Sequence, residues 1–136
     1  MGEIVIIIVQ KYEKLYVHQR SSKKKVDPSL FGLGAGGKVE PGESPLEAAA
    51  RELDEELEIK KRPEELEKLF DFPFPERNYH VHVFRTCHYG EINPRTAEFQ
   101  WGGWMNCSEI DPLAEQGKLC PDTKIAYERF KREKMT

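Results

Sequence analysis

The sequence predicts an α+β (mixed α/β) fold, a mixed sheet packed between helices, and three observations lead there. Ile4 to Val9 form an unbroken, largely β-branched apolar run that suits a buried central strand. Several other apolar segments are short and bounded by Gly, Pro, Asn or Asp, as strands are. Two longer segments, 44–57 and 122–134, repeat apolar residues at helical spacing. With strands dominant and two main helices, helices layered on a mixed sheet are the stable arrangement.

At 136 residues the chain has the length of one domain, and a single domain over residues 1–136 is expected. Its 38% hydrophobic residues can build a core, while 33% charged residues predict a wet surface. A net charge of −3 gives no basic signal for a nucleic-acid polymer. The longest apolar run falls far short of the roughly 20 residues a bilayer span needs. It follows Glu3 with no basic leader, so neither a membrane segment nor a secretory signal is expected. Cys87, Cys107 and Cys120 form no Cys-x-x-Cys pair, and packing in a reducing cytoplasm is the simplest reading.

In chain order, Ile4–Gln10 is the central strand and Lys14–Arg20 its partner, joined by a polar turn at 11–13. Ser21–Pro28 is a basic loop. Phe31–Val39, with four glycines, holds one short strand, followed by a tight turn at Pro41-Gly42. Ser44-Pro45-Leu46-Glu47 starts a helix: Ser44 caps, Pro45 suits the first position and Glu47 completes a capping box. Leu46, Ala49, Ala50, Leu53 and Leu57 make its core stripe. Leu66–Phe74 and Tyr79–Cys87 form a hairpin broken at Pro73 and Pro75. Phe99–Asn106 is a further strand and Ser108–Gln116 a short helix. Asp122–Lys134 closes the chain as an amphipathic helix with Ile125, Ala126, Tyr127 and Phe130 inward.

The helix after Ser44 carries the chemistry. With Leu53 at the centre of the apolar stripe, Glu56 falls at about −60°, Glu52 at about −100° and Glu55 at about −160°. The three carboxylates form one arc beginning at the edge of the buried face, while Glu47, Asp54 and Glu58 lie on the other side. Such an arc can hold a hard cation, which takes oxygen ligands and shares substrate phosphates. Arg51 is placed to reach Glu55 at i+4. A solvated, glutamate-rich face explains the helix alone equally well. The glycine-rich turn ahead of it shifts the balance, because Gly36 and Gly37 let backbone approach a ligand and Gly42 permits the turn into Glu43.

Gly37, Glu43, Arg51, Glu52, Leu53, Glu55, Glu56 and Ile59 together resemble the box of the Nudix hydrolase family. One position departs: Glu58 stands where the family has a helix-closing Gly. The resemblance implies an α/β/α sandwich with a mixed central sheet. It also implies a Mg²⁺-dependent enzyme, with Mn²⁺ as an alternative cofactor, that hydrolyses a nucleoside diphosphate linked to another moiety. By this resemblance Glu52, Glu55 and Glu56 hold the cations, Glu43 supports that shell, Arg51 orients a carboxylate, and the backbone near Gly36, Gly37 and Lys38 contributes a carbonyl. Glu98 is the candidate for a further acid after the box. The implied partner is a small nucleotide-type diphosphate, and a homodimer is compatible with it. An isopentenyl-diphosphate isomerase-like subgroup also resembles the region 14–43. The isomerase's catalytic Cys and metal-binding His are replaced by Gly36 and Lys38, which disfavours isomerisation. A catalytically weak Nudix-fold module that binds a nucleotide or a protein is the alternative that the Glu58 departure raises.

Other residues have simpler explanations. Lys23, Lys24 and Lys25 fit a solvated loop, while Arg20, ending a strand, is the better phosphate contact. Phe70, Phe72 and Phe74 share one strand face and fit a core, as does Trp104. Tyr79 and Trp101 could stack on a base. His80 and His82 share the opposite face from Val81 and Val83. Two histidines at this spacing can bind zinc, but no third soft ligand is evident in the sequence, and zinc is not expected.

Overall fold

The computed structural model describes residues 1–94 and 96–135. Its strands are β1 (Gly2–Lys11), β2 (Lys14–Arg20), β3 (Phe31–Leu33), β4 (Ala35–Lys38), β5 (Glu67–Phe74), β6 (Tyr79–Cys87) and β7 (Phe99–Met105). The helices are α1 (Pro45–Leu57), α2 (Cys107–Glu115) and α3 (Pro121–Lys134). β1 is central. It pairs in parallel with β6 along residues 2–10, and β5 adds antiparallel to β6. Alternation along β1 sends Val5, Ile7 and Val9 to the face that α1 covers. Ile6 and Ile8 go to the opposite face, against Ile110 of α2 and Ala126, Tyr127 and Phe130 of α3. Helices on both faces of a mixed sheet make the α/β/α sandwich that the sequence predicts.

The other edge of β1 creates the site. β2 pairs with β1 only at Gln10↔Leu15 and Lys11↔Lys14, then diverges to pair with β3 and β7. β4 occupies the edge that β2 leaves, with Ile4–Ile7 opposite Ala35–Lys38. The expected single strand over 31–39 is therefore two, divided at Gly34. Gly34 has φ +53°, donates its N–H to the Tyr16 carbonyl, and leaves no room for a Cβ against the Ile7 carbonyl. Only glycine passes the chain from one half of the sheet to the other here.

α1 begins as predicted. Ser44 Oγ accepts the Glu47 N–H at 3.1 Å and Glu47 accepts the Ser44 N–H at 2.9 Å. It ends on Glu58, which takes the left-handed conformation itself (φ 55°, ψ 33°) and donates its N–H to the Asp54 carbonyl at 3.0 Å. The helix closure that glycine would favour is thus present, at the steric expense of a side chain in that region. α2 opens with a second capping box, Asn106 with Glu109, which the sequence reading missed. Phe70, Phe72 and Phe74 are core residues, as expected. Ile125 is the correction within α3. It is 41% exposed, because it sits about 200° around the helix from Tyr127, away from the stripe of Ala126, Tyr127 and Phe130.

Candidate active site

β4 and α1 face each other closely; Gly37 makes this approach feasible, and Gly36 lets β4 lie close on β1. Gly36 donates its N–H to Glu56 Oε1 at 2.8 Å. A Cβ on Gly36 would lie 2.6 Å from the Val5 carbonyl, and one on Gly37 would run into the Glu52 carboxylate. The predicted arc is therefore the face of α1 turned to β4, and it is graded in depth. Glu56 is 7% exposed, the Glu52 side chain 13% and the Glu55 side chain 59%.

Arg51 organises the near end. Its Nε and Nη2 grip Glu43 at 2.8 and 2.9 Å, Nη1 reaches Glu52 at 2.8 Å and Glu55 at 3.3 Å, and Nη2 also meets the Lys38 carbonyl at 3.0 Å. The i+4 contact to Glu55 anticipated from spacing exists but is the longest of these; the principal partner is Glu43. Glu43 also accepts the Glu40 N–H at 3.0 Å, so both its oxygens are engaged in bracing the turn and Arg51. The guanidinium holds Glu43 down to about 2.

The inner carboxyls are perturbed the other way. Burial pushes Glu56 up to about 9, against the opposing Gly36 N–H, with Glu52 and Glu98 adding to the rise. Burial also raises Glu52, opposed by Arg51. Glu98, from the turn before β7, stands across from Glu56 and closes the constellation. Its pairing with Lys24 at 2.8 Å lowers its pKa, with Glu56 as a hydrogen-bond partner. Burial first, and the Glu52 and Glu98 carboxyls beside it second, favour the protonated form of Glu56. Such a donor set fits a hard divalent cation, whose charge would favour the ionised forms of Glu56 and Glu52 that burial disfavours.

A cleft of about 1040 Å³ runs from these carboxylates to the far side of β1. Arg20, Lys23, Lys24, Lys25, Gly36, Gly37 and Lys38 all line it. The basic loop is thus a wall of the cleft rather than only a solvated loop. Arg20 donates Nε and Nη2 to the Val26 carbonyl at 3.1 and 2.9 Å, which ties that loop to the end of β2. Glu43 is absent from the lining, consistent with its role behind Arg51.

Sequence reasoning missed the far end of the cleft. Arg77 clasps Asp27 at 2.7 and 2.8 Å, Tyr79 donates to Asp122 at 2.7 Å, and Thr123 lies beside them. These residues come from a loop, a strand and a helix far apart in sequence, and no spacing announces them. Tyr79 does line the cleft. Trp101 lies outside it, edge-on to Phe31. His18 also lines it, stacked on Phe99 with Nδ1 bonded to the Gly34 carbonyl at 2.7 Å. Burial lowers His18 to about 4, so it is a neutral wall residue at ordinary pH.

With this geometry, comparisons with known proteins agree. The NUDIX domain model matches residues 2–128. An uncharacterised Nudix hydrolase of Streptomyces coelicolor is 31% identical over 87% of this chain; the chain spans 66% of that relative, just under two thirds of its length. A Haemophilus influenzae 8-oxo-dGTP diphosphatase is 32% identical, over 77% of this chain and 75% of its own length. Among solved structures, a bifunctional NMN adenylyltransferase/ADP ribose pyrophosphatase of Francisella tularensis, complexed with AMP and a Mn ion, superposes with a TM-score of 0.78. It is 23% identical over 97% of this chain and 41% of that one, a likeness that shows the fold. A family model spanning nearly the whole chain and a glutamate arc held against a glycine strand lead to the same conclusion: the chain belongs to the Nudix hydrolase family.

Proposed function

We propose that the protein is a Mg²⁺-dependent hydrolase, able to use Mn²⁺, that cleaves the diphosphate linkage of a nucleoside diphosphate joined to another moiety. The observation that carries this reading is the convergence of Glu52, Glu55, Glu56 and Glu98 at one end of a cleft whose adjoining wall is basic. Glu52, Glu55 and Glu56 would hold the cation, with the Gly36 carbonyl as a further donor and Glu43 bracing Arg51 behind them. When bound, the cation would lower the pKa of a water and offset the diphosphate charge. The side chains supply the rest. Glu98, kept ionised by Lys24, is the group positioned to take a proton from the attacking water. Glu56 must release its own proton before it can act as a ligand. Arg20, Lys23, Lys24 and Lys38 meet the phosphates by charge. The far end, with Arg77, Tyr79 and Thr123, offers polar and aromatic contacts to the nucleoside. The likeness to an 8-oxo-dGTP diphosphatase supports a nucleotide-type substrate.

The binding-module alternative loses its main motive, because Glu58 closes α1 in the left-handed conformation despite its side chain. Three free cysteines support a reducing, cytoplasmic setting. The test is a Mg²⁺-dependent hydrolysis screen over nucleoside triphosphates, dinucleoside polyphosphates, nucleotide sugars and dinucleotide cofactors. Turnover that requires Mg²⁺ and disappears in both Glu55→Gln and Glu56→Gln is expected. Parent-rate turnover in both variants, or nucleotide binding with no product from any substrate, would overturn the reading.

A further inference from the structure

The face of the sheet that α1 covers continues past the helix onto β6 and β5. His80 and His82 project from that uncovered part, on the same side as Phe84 and opposite Val81 and Val83. The strand partners supply what the sequence lacks. β5 places Asp71 opposite His82, and β1 places Glu3 opposite His80. One ligand atom from each of Asp71, His80 and His82 lies within 4.8 Å of the others. The two imidazole centroids are 5.0 Å apart. His80 Nε2 meets Asp71 Oδ1 at 2.6 Å and His82 Nε2 meets Glu3 Oε1 at 2.9 Å.

A second observation is independent of this clustering. His82 Nδ1 is buried and has no hydrogen-bond partner among the described residues. With Nε2–H donated to Glu3, Nδ1 carries a lone pair and nothing to accept. A buried acceptor without a partner is disfavoured. Metal-ligating histidines commonly give their other ring N–H to a carboxylate, which fixes the tautomer and leaves the lone pair for the ion. Glu3 and His82 already have this arrangement. The Asp71–His80 contact is a proton-bridged version of a pair that one ion would bridge. A tetrahedral site with Zn–N and Zn–O near 2.0–2.1 Å places ligand atoms about 3.3 Å apart. Closing from the present separations takes movements of up to about 1.5 Å. Asp71, with a side chain 40% exposed, and His80, at 28%, have the freedom to make them.

We propose that Asp71, His80 and His82 form a zinc-binding site, oriented by Glu3, that is separate from the carboxylate site on α1. Imidazole nitrogens with one carboxylate suit Zn²⁺ better than a hard ion such as Mg²⁺. The two sites are neighbours. His82 and Gly37 both pair with Val5 from opposite edges of β1, so their backbones are about two strand spacings, ~10 Å, apart. The zinc site ties β1, β6 and β5 together at the end of the sheet where β1 begins. Its role here is to bind and clamp, and no step of the hydrolysis passes through it.

The test separates the sites by mutation. In the Glu52→Gln, Glu55→Gln, Glu56→Gln triple variant the α1 site is silenced. That protein, dialysed against micromolar Zn²⁺ with Mg²⁺ in excess, retains one equivalent of zinc by metal analysis. Co²⁺ in its place gives the intense visible bands of a four-coordinate site. Adding His80→Ala to the triple variant lowers zinc affinity at least tenfold and removes the bands, and Asp71→Asn weakens both. Circular dichroism shows that these exposed-side substitutions leave the fold intact. Absence of a zinc equivalent in the triple variant overturns the proposal, as does an equivalent that survives His80→Ala and His82→Ala combined. Neither result depends on the enzyme's activity, so failure here is distinguishable from failure of the hydrolase reading.

Discussion

Two clusters of ionisable side chains lie on the same side of one sheet, yet they are built differently. The α1 cluster draws Glu52, Glu55 and Glu56 from five consecutive positions, and one helical turn brings them together. The β6 cluster draws from three strands, with Glu3, Asp71 and His82 up to 79 residues apart. In the first, burial and, after it, neighbouring carboxyls raise the inner carboxyls in pKa, with Arg51 as the main counter-charge. In the second, each carboxylate already has an imidazole, and what remains unsatisfied is a single nitrogen. The comparison teaches that a site made by local geometry can hold buried, clustered carboxyls, which a divalent cation would stabilise in their ionised form. A site made by strand pairing stores an unpaired acceptor, which a softer ion satisfies.

The largest expected effects come from breaking the first cluster. Glu55→Gln and Glu56→Gln should each cut kcat by orders of magnitude with an unchanged circular dichroism spectrum, measured on whichever substrate the hydrolysis screen identifies. Gly37→Ala comes next. Its methyl meets the Glu52 carboxylate, so Glu52 must leave its place, and we expect at least a hundredfold loss of kcat/KM. Mg²⁺ titration should show weakened dependence as well. A loss of less than threefold would mean that Glu52 is not held where the strand places it.

Stability then responds with the opposite sign. In the metal-free protein Glu56 has a folded pKa of about 9 against an ordinary value of 4.5. Its folded pKa is raised, so its contribution is fully present below pH 4.5 and is lost as pH rises toward 9. At pH 7 the burden is on the order of 3 kcal/mol. Glu56→Gln removes this burden and keeps an oxygen for the Gly36 N–H. In EDTA it should therefore unfold at a higher temperature than the parent at pH 8, with the difference shrinking toward pH 4.5. A pH-independent difference would contradict the shifted carboxyl. Saturating Mg²⁺ should reverse the order, stabilising the parent and not the variant.

The smallest effect concerns the C-terminal end of α1. Glu58→Gly should raise stability by about 1 kcal/mol, since glycine holds the left-handed closure without Cβ strain. Urea unfolding at constant m-value measures it. A loss of stability would mean that the contacts of the Glu58 side chain outweigh the strain.

Much of this was legible before any coordinates. The capping box, the apolar stripe and the arc of three glutamates follow from rotation along one helix, and the structure places each where that rotation predicts. Glu98 needed the family resemblance, and its closeness to Glu56 needed the fold. The division of 31–39 at Gly34 was hidden because four glycines in nine residues look alike in sequence, and only the departure of β2 from β1 makes one of them a crossing point. Ile125 was misplaced by counting its apolarity rather than its angle. The Arg77–Asp27 clasp and Asp71 beside His80 carry no local signal at all.

By itself the sequence determined the order of elements, the capped helix and which three carboxylates share one of its faces, because these depend on contacts within a few residues. Only the tertiary structure decided that Arg51 braces Glu43, that Glu56 is buried and raised in pKa, and that Asp71 and Glu3 join the two histidines. Those outcomes depend on burial and on strand register, which pair residues that the chain itself keeps far apart.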